Sequence, residues 1–224
     1  MTAIRFYPAG DCALVAEFGR EIDEQINDRV QIMGRWIQEQ RFRGVAEVIP
    51  TFRSLMICYD PGKVSYGRLV KQLQRCPFAA AADAGKEKKV HRIPVCYDGP
   101  DLADMEQLTG LTQQEIIAIH CGTDYKIYMI GFLPGFVYLG GLDKRICAPR
   151  LETPRTRIEP GSVGIGGSQT GVYPVASPGG WRILGYTPVR FYDPNRSEPI
   201  LCRAGEYIRF VPITRAEYER EVSG

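Results

Sequence analysis

Gly131-Phe132-Leu133-Pro134-Gly135-Phe136-Val137-Tyr138-Leu139-Gly140-Gly141, then Gly161-Ser162-Val163-Gly164-Ile165-Gly166-Gly167-Ser168-Gln169-Thr170-Gly171, and finally Ser177-Pro178-Gly179-Gly180-Trp181 set the character of the second half of the chain. Half of the 24 glycines lie between positions 131 and 185. Glycine at this density, interleaved with aromatics and proline, marks a backbone that turns tightly or is approached closely by another group. Around it, short apolar runs such as Lys126 to Ile130, Val189 to Tyr192 and Tyr207 to Val211 are separated by Gly/Pro turns, the pattern of a closed β-barrel or a sandwich.

Upstream the pattern changes. Ile4 to Tyr7 and Ala13 to Phe18 read as strands around the turn at Pro8-Ala9-Gly10-Asp11. Ile26, Val30, Met33 and Ile37 recur at helical spacing, with Asp23 and Glu24 suited to the positive amino-terminal end. Val45 to Ile49 and Leu55 to Tyr59 are strands. Ser65 is placed to cap a helix carrying Leu69, Val70 and Leu73, which Cys76-Pro77 stops. Strand, helix, two strands, helix is the order of a small ferredoxin-like α+β unit. Between Ala79 and Lys89, alanine, glycine and charge replace periodicity. The boundary is expected there, giving an α+β domain over 1–84 and a mainly-β domain over 85–224, with His91 to Tyr97 the last strand of one or the first of the other. Thr112-Gln113-Gln114-Glu115 is a capping box opening a helix that Gly122 ends.

Composition excludes several classes. No run of about 18 apolar residues is present to cross a bilayer, and the start lacks the basic and apolar regions of an export signal. The seven cysteines are scattered, with no Cys-x-x-Cys pair, so a reducing cytoplasm is expected and neither a disulfide framework nor a metal-ligand set. A net charge of +2, from 28 basic and 26 acidic residues, carries no stripe for nucleic acid.

Gly164 to Thr170 invites comparison with a phosphate loop, but there is no lysine after Lys144 and no strand-to-helix context. Ser162, Ser168 and Ser177 lie outside Gly-x-Ser-x-Gly, so no hydrolase elbow is present. His91 and His120 are the only histidines. His120 is the candidate general base, or else a partner for carbonyls at its helix end. Arg150, Arg155 and Arg157, stiffened by Pro149 and Pro154, are candidates to fork a carboxylate or phosphate, or else to pair with Glu152 or Glu159. Gln169 and Thr170, at the end of the second glycine-rich run, are further candidates to bind substrate or an anion. Phe132, Phe136, Tyr138, Tyr173 and Trp181 would line a pocket or an interface, or fill the core of the barrel.

The ordered string from Tyr128 to Pro188 resembles the signature of the allophanate hydrolase subunit 1 family, also called the KipI family. Gly10-Asp11-Cys12-Ala13-Leu14, Val48-Ile49-Pro50, Arg53-Ser54-Leu55, Tyr59-Asp60-Pro61, Ile93-Pro94-Val95-Cys96-Tyr97 and Val211-Pro212-Ile213 follow the family's order. The resemblance implies a ferredoxin-like domain followed by a cyclophilin-like β-barrel. It also implies work as the B component of a bacterial ATP-dependent 5-oxoprolinase, alongside subunits A and C, opening 5-oxo-L-proline to L-glutamate. ATP would act through the complex, and this chain would be inactive alone. A KipI-type inhibitor of a sporulation histidine kinase is the alternative; a urea carboxylase or allophanate hydrolase module is a third, which a stand-alone chain disfavours. Two positions depart from the family's habit: Val137 stands where proline is frequent, and Tyr186 where a basic residue precedes Thr187-Pro188.

Overall fold

The computed structural model describes residues 3–78 and 88–223. The chain divides into two compact units, Met1–Glu87 and Lys88–Gly224. The boundary expected at 84/85 lies outside the described residues.

The first unit runs β1 (Arg5–Pro8), β2 (Ala13–Glu17), α1 (Glu24–Gln40), β3 (Val45–Pro50), β4 (Ser54–Tyr59) and α2 (Tyr66–Leu73). Its antiparallel sheet has the order β1-β2-β4-β3. The edge beside β2 is taken by β1, from the amino-terminal hairpin, where a βαββαβ succession would place a strand following the second helix. The apolar stripe of α1 is buried: Val30, Met33 and Ile37 pack with Leu14 and Ala16 of β2, Leu55 and Ile57 of β4, and Leu69 and Leu73 of α2. Asp23 caps α1 by accepting from the Ile26 amide at 3.0 Å. Asn27, fully buried, donates to Thr51 O and Phe52 O and so ties the helix to the β3–β4 turn. Ser65 occupies the cap position of α2, but its side chain makes no cap bond.

The second unit runs β5 (Val90–Cys96), α3 (Leu102–Thr109), α4 (Gln113–Cys121), β6 (Tyr125–Ile130), β7 (Val137–Gly140), β8 (Arg155–Ile158), β9 (Ser162–Gly166), β10 (Gln169–Val172), β11 (Ser177–Gly179), β12 (Arg182–Tyr186), β13 (Tyr207–Ile213) and α5 (Arg215–Ser223), with one 3-10 turn at Lys144–Ile146. Seven strands close a mixed barrel in the order β10-β7-β6-β13-β5-β12-β9. The pair β5/β13 is parallel, in unbroken register from Val90↔Tyr207 to Cys96↔Ile213. The two remaining strands, β8 and β11, form a separate ribbon. Leu102 and Met105 of α3 and Ile116 of α4 join the barrel core.

The capping box forms in both directions: Thr112 Oγ1 accepts from the Glu115 amide, and Glu115 Oε2 accepts from the Thr112 amide. One local expectation is corrected. Val189 to Tyr192 is not a strand; only Tyr192 bridges, to Ile200. Pro188 and Pro194 bracket that run without amide donors, and the Val189 amide is turned onto Thr187 Oγ1. Helix α3, which no periodic pattern announces, starts after Asp101 and stops at Gly110, whose φ of +72° is the left-handed conformation that glycine tolerates.

Candidate functional site

Successive side chains of a strand point to opposite faces of its sheet. On β7, β9 and β10, Val137, Leu139, Val163, Ile165 and Val172 enter the barrel core. The intervening positions carry glycines and aromatics on the outside. This alternation divides the sequence candidates into two groups that do not meet: Thr170 faces inward with His120, and the aromatics face outward.

His120 is fully buried, stacked on Phe210 with ring centroids 4.6 Å apart. Both ring nitrogens are engaged, Nδ1 with Tyr97 Oη at 2.6 Å and Nε2 with Thr170 Oγ1 at 2.8 Å. Thr170 spends its only proton on Gly164 O at 2.9 Å, so it must accept from His120. The order of donation is therefore Cys121 thiol to Tyr97 hydroxyl to His120 Nδ1, and His120 Nε2–H to Thr170 to Gly164 O. Every member is satisfied with a neutral imidazole. Burial pushes the His120 pKa from 6.5 down to about 3 and the Tyr97 pKa well up. The network locks α4 to the barrel wall and leaves no free nitrogen to meet a substrate.

Outside the wall, Phe136, Tyr173 and Trp181 are buried together with Ile158 and Ile183, and Leu133, Tyr138 and Tyr186 pack around them. Phe136 lies edge-on to Tyr173 and Trp181 at 5.1 and 5.4 Å, an arrangement favoured by the ring quadrupoles. Phe132 is different: it is 69% exposed at the tip of its loop, with φ +70°. The glycines make this cluster possible. A Cβ on Gly166 would collide with the Trp181 indole, and one on Gly171 would stand 2.6 Å from Val137 O. The indole thus lies on bare backbone. Gly166→Ala is expected to lose about 2 kcal/mol through overpacking, read as a lower urea midpoint. Trp181 fluorescence should shift to the red in a Trp36→Phe background; an unmoved emission and midpoint would show that the indole has room.

The three arginines differ sharply. Arg155 is locked: its guanidinium grips Asp101 at 2.6 and 2.8 Å, and the same carboxylate accepts from the buried Ile183 amide at 2.6 Å. Arg157 pairs with Glu159 at 2.6 Å on the surface, one of the two pairings left open by the sequence. Arg150 is exposed and has no hydrogen bond or ion pair among the described residues. Its backbone is held on both sides, by Arg182 Nε donating to Pro149 O at 3.0 Å and by Leu151 N donating to Gly180 O at 2.7 Å. Its charge acts on Tyr138 and Tyr173, countering the burial that raises both phenols, Tyr173 to about 12. Gln169, half-buried, has an Nε2 with no partner among the described residues. Gly164 to Thr170 forms no phosphate cradle: it is the β9–β10 hairpin, turning at Gly167 with φ +67°. All seven cysteines are free, and no described helix is long and apolar enough to cross a membrane. Against the expectation of no metal-ligand set, the fold brings together one convergence among the described residues, His91 with Cys202 and Glu206.

Residues 4–202 match the family described as carboxyltransferase domain, subdomain C and D. The chain belongs to this family. Among carboxyltransferase C/D relatives, the B component of 5-oxoprolinase from Bacillus subtilis is 42% identical, over 93% of this chain and 92% of its own. Its counterpart in Escherichia coli O157:H7 is 36% identical, over 95% and 97%. The crystal structure of TTHA0988 superposes with a TM-score of 0.81 at 33% identity; it covers 94% of this chain, which spans only 40% of that one. The Kluyveromyces lactis urea amidolyase superposes at 0.76 with 20% identity, a likeness of fold.

Asp101 is a site-forming residue that sequence reasoning does not single out. Asp101 precedes a run closed by Gly110, a cap signal present in the sequence. Its pairing with Arg155, 54 positions away, has no local signal.

Proposed function

We propose that this chain is the B component of an ATP-dependent 5-oxoprolinase, which opens the lactam of 5-oxo-L-proline to L-glutamate together with subunits A and C. The identity to B components of 5-oxoprolinase from three bacteria, along nearly the whole of both chains, is the observation that carries the proposal. In this reading the two units are ferredoxin-like and cyclophilin-like modules, and the complex works in the cytoplasm. An unactivated five-membered amide is a poor electrophile; transfer of a phosphoryl group from ATP to its oxygen would make the carbonyl carbon open to water. That step needs a nucleotide site, for which this chain carries no phosphate loop, so its part is to complete a site shared with its partners.

Within that site Arg150 is the residue assigned to the substrate carboxylate. It is pre-positioned by Pro149 and Leu151, its charge is felt by the Tyr138 and Tyr173 phenols, and it pairs with no carboxylate among the described residues. The outward aromatic face of Phe136 and Trp181 would bound the apolar ring, with the Gln169 amide a further donor. His120 acts here as a positioning residue that holds α4, and Arg155 as a support for the β8 ribbon.

The test is reconstitution of the three subunits with glutamate formation as readout. Omitting this chain should reduce the rate to background; an unchanged rate would overturn the assignment. Arg150→Ala should raise KM for 5-oxoproline about 10- to 100-fold, the loss of one charge-assisted hydrogen bond of about 1.5–3 kcal/mol, with the complex intact. A normal KM would place the carboxylate elsewhere.

A further inference from the structure

His91, Cys202 and Glu206 have no part in the assignments above. Because β5 and β13 run parallel, His91 stands beside the segment entering β13, where Cys202 and Glu206 lie four residues apart. A tight turn at Gly205, φ +90°, brings the Glu206 carboxylate back onto the Arg203 amide at 2.9 Å. His91 Nε2 then meets Glu206 Oε2 at 2.7 Å, and one ligand atom from each of the three side chains lies within 4.8 Å of the others. Lys89 Nζ contacts the second carboxylate oxygen at 3.0 Å. His91 and Glu206 side chains are 15% and 16% exposed, and Cys202 is 1% exposed. The hydrogen bonds account for His91 and Glu206 without involving Cys202, whose thiol has no hydrogen bond among the described residues.

We propose that His91 Nε2, Cys202 Sγ and a Glu206 carboxylate oxygen bind one divalent late first-row ion, zinc being the best match, with water in the fourth position. One nitrogen, one sulfur and one oxygen suit a borderline-soft ion. Tetrahedral bonds of about 2.0–2.3 Å place donor atoms roughly 3.3–3.8 Å apart, so the cluster closes on an ion with a small parting of His91 from Glu206. Binding releases the Cys202 proton to solvent, and Lys89 can stay on the carboxylate oxygen that does not face His91. A thiolate and a carboxylate then neutralise the dication, which a mostly buried site requires.

The test uses the full chain, freed of metal by chelator and titrated with Co2+. The expected result is one cobalt per chain, with a thiolate-to-cobalt charge-transfer band and intense tetrahedral d–d absorption, both abolished by added Zn2+. Cys202→Ala should lose the charge-transfer band entirely. His91→Gln and Glu206→Gln should each weaken Zn2+ binding at least tenfold in a competition assay, with near-ultraviolet circular dichroism confirming an intact barrel. A wild-type spectrum without the band, a band that survives Cys202→Ala, or unchanged zinc affinity in both conservative variants would each overturn the site. Those two variants decide the matter even if Cys202→Ala does not fold.

Discussion

At pH 4 the protein is expected to be about 3 kcal/mol less stable than at pH 6.5 on account of one side chain, His120, since each pH unit across a buried neutral group is worth about 1.4 kcal/mol. Burial lowers its folded pKa from 6.5 to about 3. Between those values the unfolded chain binds a proton that the folded chain refuses. The contribution is therefore whole above pH 6.5 and is lost progressively as pH falls towards 3. Burial is the cause of the refusal, and the directed hydrogen bonds agree with it: Nδ1 accepts from Tyr97, so protonating it would set donor against donor in a closed pocket beside Phe210. Urea midpoints measured from pH 7 to 4 should fall in the wild type and flatten by about this amount in His120→Gln, which cannot titrate. Parallel curves would show that the imidazole charges without opening the barrel. Catalysis by general base at this position would instead require solvent access and a pKa near neutrality, neither of which His120 has.

Arg155→Ala should cost about 3 kcal/mol, because it strands a carboxylate that folding has already desolvated. The Asp101 side chain is only 4% exposed and would keep a single bond, from the Ile183 amide. Arg155 itself is 31% exposed and loses far less on leaving the pair, so the cost comes chiefly from Asp101. Thermal unfolding gives the measurement, and a double variant with Asp101→Ala gives the check. Removing both partners should destabilise by clearly less than the sum of the two single changes. Strict additivity would mean that the pair is not coupled. The consequence for function is practical: lost turnover in Arg155→Ala would report a weakened β8 ribbon, whereas Arg150, with no hydrogen bond or ion pair among the described residues, is the variant that tests the proposed substrate contact.

The elements most legible in the sequence are those whose signals are local. The stripe Val30, Met33, Ile37 and the reciprocal Thr112/Glu115 cap each need only neighbours within a turn or two of helix, and both form. The glycine-rich strands are legible as barrel for the same reason. What the glycines are for is not, because Trp181 meets Gly166 and Gly171 across strands and no spacing rule encodes that contact. The candidate site follows the same rule. Arginine, histidine and aromatic types stand out by their chemistry, but whether Thr170 points in or out, and whether Arg155 or Arg150 is already neutralised, depends on strand parity and on Asp101 arriving from another element. At Val189 to Tyr192 the apolar run suggests a strand, but the flanking Pro188 and Pro194 outweigh it.

The parallel pairing of β5 with β13 bears on how the protein comes to exist. The strand that begins the second unit has its partner near that unit's end, Val90 against Tyr207. During synthesis β5 must therefore wait while nearly the whole unit is made, since both its neighbours, β12 and β13, come last among the strands. Contacts so distant in sequence slow folding, because loop closure precedes any reward, and an unpaired edge is exposed to other chains meanwhile. The ribosome therefore delivers the barrel open, and its last strand serves as the latch.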